Sequence, residues 1–120
     1  MTYESALHSF WNSFGIPAYV SSAVPVDVVF PYIVYERPYP APNETASGVA
    51  NVYYYSESEV DINAKAREIR KGLNKQIHHD DGTTWLVLGS PAQLNLVNAD
   101  NNSIKQRQIN VDYTYNAKEI

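Results

Sequence analysis

The feature that most constrains this chain lies near its C-terminus, where Ile109, Val111, Tyr113 and Tyr115 alternate with Gln108, Asn110, Asp112 and Thr114. Successive residues of a strand point to opposite faces, so this period of two predicts a strand with one covered face and one wet face. A sheet built on such a strand needs a cover on one side only. The rest of the chain must supply that cover.

Two segments are suited to it. From Thr2 to Phe14 the large apolar residues Leu7, Phe10, Trp11 and Phe14 recur at i, i+3, i+4 and i+7, while Glu4, His8, Asn12 and Ser13 fall elsewhere. That spacing predicts an amphipathic helix. Gly15 offers a left-handed stop, and Pro17 cannot continue the helix interior. The second segment begins with Ser56 and Glu59, spaced as a capping box, followed by Ile62, Ala66, Ile69, Leu73 and Ile77. It predicts a helix over Asp61 to Ile77, with acids in its first turn and Lys71 and Lys75 near its end, complementing the helix dipole. Gly72 weakens such a helix by roughly 1 kcal/mol, which suggests a close approach at that point.

The remaining segments read as strands and connections. Ile16 to Phe30 is apolar but broken by Pro17 and Pro25, so any strand there is short or at an edge. Pro31 to Arg37 is β-branched and aromatic, and Val49 to Tyr55 reads as its antiparallel partner. Between them the proline-rich stretch Pro38 to Gly48 is expected to be a projecting loop with a mobile tip. Asp80-Asp81-Gly82 marks a turn, Thr83 to Leu88 a strand, Gly89-Ser90-Pro91 a break, and Ala92 to Asn98 a further strand before the turn Asp100-Asn101-Asn102. The order is helix, two strands, helix, then two or three strands. The expected fold is one α+β domain over residues 1–120: a mostly antiparallel sheet of four to five strands with two helices packed on one face.

Composition narrows the function. With 13 acidic and 9 basic side chains the net charge is −4, which provides no attraction for nucleic-acid phosphates or anionic lipid. No apolar stretch approaches the roughly 20 residues of a membrane-spanning helix, and Met1-Thr2-Tyr3-Glu4 does not open like a signal peptide. The chain has no cysteine, hence no thiolate nucleophile and no Cys-ligated zinc. Neither specific nucleic-acid binding nor membrane attachment is expected.

Reactive constellations are sparse. His78-His79-Asp80-Asp81 has metal-ligand residue types, but adjacent residues do not easily converge on one ion, and a helix end running into an Asp-Gly turn explains the run. No phosphate-cradling glycine pattern and no nucleophile elbow occurs, so no cofactor is expected. Asp27, Glu36 and Asp112 lie near strands without a spacing that brings them together. The expectation is a protein without catalytic activity; the low-ranked alternative is a small metal-dependent hydrolase built from those acids or the histidine pair.

The ten tyrosines point instead toward contact surfaces. Tyr53-Tyr54-Tyr55 must place rings on both faces of its strand, and tyrosine is common both in strands and at subunit interfaces. Base stacking would want interleaved Lys or Arg, which Val49 to Tyr55 lacks.

The layout as a whole, from the N-terminal helix through Phe30-Pro31-Tyr32-Ile33-Val34-Tyr35, Val52-Tyr53-Tyr54-Tyr55-Ser56 and the helix with Ala64, Ala66, Ile69 and Leu73 to a final strand pair, resembles the small tail terminator or tail-completion proteins of long-tailed phages. The resemblance implies a virion tail protein, assembled in the host cytoplasm, that forms a homo-oligomeric ring, commonly a hexamer. Such a ring caps the tail tube protein, ends its polymerisation and presents a surface to the head-tail connector. A head-completion or adaptor role in the same particles is the alternative. The candidate contact residues are Tyr39, Pro40, Asn43, Glu44 and Thr45 in the loop and Tyr53 and Tyr55 on the tyrosine strand. If DNA passes through such a ring, an acidic lumen would avoid holding it.

Overall fold

The computed structural model describes residues 1–98 and 100–118. Two helices, α1 (Tyr3–Asn12) and α2 (Val60–Gly72), accompany six strands: β1 (Ala18–Val20), β2 (Tyr32–Tyr35), β3 (Thr45–Tyr55), β4 (Lys75–His79), β5 (Gly82–Val97) and β6 (Ile104–Ala117). The strands form one sheet in the order β1-β2-β3-β6-β5-β4. The protein is therefore α+β, but the sheet has six strands rather than four or five, and β1 runs parallel to β2 while the other pairs are antiparallel.

Residue parity decides the two faces. Ile33, Ala50, Val52, Leu86, Ile109, Val111 and Tyr113 are buried on one face, in one core with Leu7, Phe10 and Trp11 of α1 and Ile62, Ala66 and Ile69 of α2. Both helices thus cover the same face, as the alternation in β6 requires. Helix α1 touches both β1 and β4, which lie at opposite edges of the sheet, so the sheet curls around it. Helix α2 lies on the central strands β3 and β6.

The start of the chain folds as its spacing indicates. The Thr2 hydroxyl accepts from the Ser5 amide and caps α1, and Gly15 adopts φ 85° after its last turn. Asn12 then turns its side chain onto β1: its Oδ1 accepts from the Ala18 amide at 3.1 Å and its Nδ2 donates to the Ala18 carbonyl at 3.3 Å.

Three expectations need correction. Helix α2 ends at Gly72, not Ile77, because Asn74 takes a left-handed conformation (φ 68°) and Lys75–His79 pairs with Gly82–Leu86 across the Asp80-Asp81 turn. Ile77 is buried in either reading, which is why helical spacing fitted it. The capping box does not form: Ser56 accepts from the Ser58 amide, the side chain of Glu59 makes no capping bond, and its carboxylate binds Arg107 instead. Finally, Gly89-Ser90-Pro91 does not break the strand. It lies within a register shift between Leu88 and Gln93 of the single long strand β5, a bulge that leaves the pairing with β6 intact on both sides.

Gly72 does mark a close approach. A Cβ there would lie 2.8 Å from Cε1 and 2.9 Å from Cζ of the buried Phe14 ring, which joins α2 to the segment after α1. Gly72→Ala should gain helix propensity yet lose about 1 kcal/mol net, because overpacking a filled contact outweighs it. Urea unfolding of the variant checks this; a stabilised Gly72→Ala would show that the Phe14 ring moves aside freely.

Candidate functional site

Among the described residues, nothing covers the face of the sheet opposite the helices. Its register places Tyr32, Tyr53, Gln106 and Leu96 in one cross-strand row, and Val34, Asn51, Gln108 and Leu94 in the next. Further along, Thr45 and Ser47 of β3 stand opposite Thr114 and Asp112 of β6, with Trp85 and Val87 beyond them on β5. The middle of this face is amide-rich: Gln106 donates to Asn51 Oδ1 at 2.8 Å. None of its strand positions is Lys or Arg, since Lys105 and Arg107 of β6 point to the helix side, where both are buried.

At one end the face becomes aromatic. Tyr32 stacks on Tyr53 with ring centres 5.0 Å apart, Phe30 lies 5.3 Å from Tyr32 and 5.8 Å from Tyr55, and Tyr19 lies 6.4 Å from Tyr32. Burial raises the Tyr32 and Tyr53 phenols above the ordinary tyrosine range, and for Tyr53 the neighbouring Tyr32 adds to it. Both are therefore neutral hydroxyls at physiological pH, able to donate and accept. Of the tyrosine triplet, Tyr53 and Tyr55 belong to this face, and Tyr54 packs on the core side, where Asp61 and Glu68 of α2 contribute to its raised pKa after burial.

The connection between β1 and β2 adjoins this cluster through Phe30. It exposes Val26 completely and Val29 at 76%. These valines went unrecognised in the sequence because an apolar run interrupted by prolines reads as a poor strand. Its apolar residues are exposed only because the prolines and the β1–β2 crossover keep the run off the sheet.

The proline-rich segment behaves differently from the projecting loop expected of it. Tyr39 packs edge-on against Tyr3 at 5.5 Å and donates its hydroxyl to Glu4 Oε2 at 2.8 Å; a backbone hydrogen bond first, and this bond second, hold the Glu4 carboxyl below its usual range. Pro40 and Tyr39 border a small cavity lined also by Tyr3, His79 and Tyr115. Asn43 donates its amide to the Tyr115 carbonyl at 2.7 Å, and Glu44 accepts from the Tyr115 amide at 3.1 Å. Thr45 already belongs to β3, and its hydroxyl meets that of Thr114 at 2.8 Å. The segment is tied to α1 and β6, while Asn43, Glu44 and Thr45 remain exposed at its end.

The acids and histidines do not gather into one site. Glu36 and Asp112 border the same shallow depression, but Glu36 accepts from the Val49 amide and Asp112 from the Ser47 hydroxyl, whereas His78 and His79 border a separate one. Asp27 lies in the exposed β1–β2 connection. Among the described residues, no group of three or more His, Cys, Asp or Glu side chains is placed to hold a metal ion. No helix among them is long and apolar enough to cross a membrane. Comparison with known proteins finds no family model that matches the chain, and no match among curated proteins or solved structures.

Proposed function

We propose that this protein is a structural subunit of a phage tail that caps the tail tube as a ring, ends its polymerisation and forms the surface to which the head connector joins. The observation that carries this reading is the uncovered sheet face, free of Lys and Arg along every strand and bordered at one end by exposed aromatic and apolar side chains. A wall of amides and a few acids carries no positive charge to hold phosphates tightly, which suits a passage that DNA must leave again. A ring of six copies needs a heterologous contact between two different patches of each subunit. The Tyr32, Tyr53 and Tyr55 cluster serves as one patch, and the exposed end of the proline-rich segment at Asn43 to Thr45 as a candidate for the other. The exposed Val26 and Val29 loop serves in this reading as the part that seats on the tube end.

Electron microscopy of the purified protein mixed with tail tubes, polymerised from the tube protein encoded with it, tests the reading. Rings at tube ends and shorter tubes are expected. Val26→Asp should weaken attachment about tenfold, the equivalent of roughly 1.4 kcal/mol of lost apolar contact, without unfolding the chain. Attachment to the portal side alone would transfer the assignment to a head-completion adaptor, and attachment to neither would remove it.

A further inference from the structure

The distal part of β5 is a bare strand edge. Strand β4 pairs only with Gly82–Leu86, so beyond the bulge Gln93–Val97 has β6 on one side and, among the described residues, no backbone partner on the other. The Asn98 amide donates to the Ile104 carbonyl, which sets the alternation of the ladder. Leu94 and Leu96 therefore turn their backbone groups toward β6, while Gln93, Asn95 and Val97 turn theirs outward. Such an edge is a template for another strand, and proteins normally protect it with charge, proline or a cap.

The two outermost strands are protected in this way. On β1 the Ala18 amide and carbonyl are both taken by Asn12, and the Val20 carbonyl accepts from the Ala23 amide. On the β4 side, the Asp80 amide is bound by the Met1 carbonyl, and Lys75, His78 and Asp80 lie along the edge. Ala92–Val97 contains no charged residue and no proline, yet Leu94, Leu96 and Val97 are 41%, 39% and 52% exposed.

The edge is also complementary to itself. Turned antiparallel about Asn95, two copies of Gln93-Leu94-Asn95-Leu96-Val97 place Asn95 opposite Asn95, and Gln93 opposite Val97, with outward amides and carbonyls facing each other at every second position. Leu94 then stands opposite Leu96 of the other copy in the closely spaced, non-hydrogen-bonded pairs, on the open face of both sheets. With β1 capped, a head-to-tail continuation across the far edge of the sheet is blocked, and the self-complementary register favours a two-fold pair. We infer that a second copy of this chain occupies the edge, forming a closed antiparallel β5–β5 dimer in solution. This goes beyond the ring reading and stands independently of it: the pair would keep an uncharged edge covered off the tube.

Sedimentation velocity over a concentration series, with circular dichroism as the folding control, tests it. The wild type should show a monomer–dimer equilibrium. Asn95→Pro removes an outward amide at an edge position that tolerates proline, together with an exposed side chain that accepts from Gln93, and it should weaken self-association at least about tenfold with the fold unchanged. A second pair of variants tests the register without proline. Leu94→Lys with Leu96→Lys, and Leu94→Glu with Leu96→Glu, should each be monomeric alone and dimerise when mixed. A wild type that stays monomeric, or dimerisation that survives Asn95→Pro and both charged variants, overturns the inference. Tube capping by Asn95→Pro is scored separately, so a lost dimer and a failed ring assignment remain distinct results.

Discussion

Trp11→Ala is expected to remove about 3–5 kcal/mol of stability, the range for deleting a fully buried aromatic side chain. Trp11 has no exposed surface, stacks on Tyr35 of β2 with ring centres 5.9 Å apart, and meets Phe10 and Phe14 at 5.0 and 6.1 Å. It is thus the joint between α1 and the curled sheet, and the edge-ring contacts around it add to simple burial. A domain of this size has about 5–15 kcal/mol in total, so the variant should melt more than about 10 °C below the wild type and lose much of its urea resistance. Thermal and urea unfolding followed by circular dichroism measure the effect. A loss under about 1 kcal/mol would mean that α1 is dispensable to the core.

Arg107→Ala should be the next most damaging change, at about 2–4 kcal/mol. The Arg107 side chain is only 1% exposed, beneath the first turn of α2, where the helix dipole opposes a positive charge. Its Nη2 donates to Glu59 Oε1 at 2.8 Å, its Nε to Asn63 Oδ1 at 3.0 Å and its Nη1 to the Gln106 carbonyl at 3.1 Å. Truncation removes these bonds and leaves a void where the aliphatic stem packed. Arg107→Met keeps most of the volume and removes the buried charge, so it should stay within about 1 kcal/mol of the wild type. Glu59 is 55% exposed, so water screens its pair, and Glu59→Gln should cost about 1 kcal/mol or less. Urea midpoints of the three variants separate packing from charge: an Arg107→Met as poor as Arg107→Ala would show that the hydrogen bonds, not the stem, hold α2 in place.

Arg107 also shows where local patterns mislead. Ser56 and Glu59 have the spacing of a capping box, but the box is a local bargain of two hydrogen bonds, each worth little net. A guanidinium buried on β6, far along the chain, competes for the same carboxylate and holds it. The Lys75–His79 strand has the same lesson, since Ile77 satisfies helical and strand burial alike. Pairing with Gly82–Leu86 through a two-residue turn settled what periodicity left undecided.

Amphipathic periods are a property of the chain, and they determined α1, the body of α2, the alternation of β6, and hence an α+β fold with helices on one face. Side chains repeating at 3.6 or 2 residues have one way each to bury their apolar half. Which strands lie at the edges, which edge is capped by Asn12 and which stays bare, and which apolar residues of the β1–β2 connection reach solvent were decided only by tertiary structure. Those outcomes depend on hydrogen bonds and packing between residues distant in sequence, and no local pattern encodes the neighbour a strand will lack.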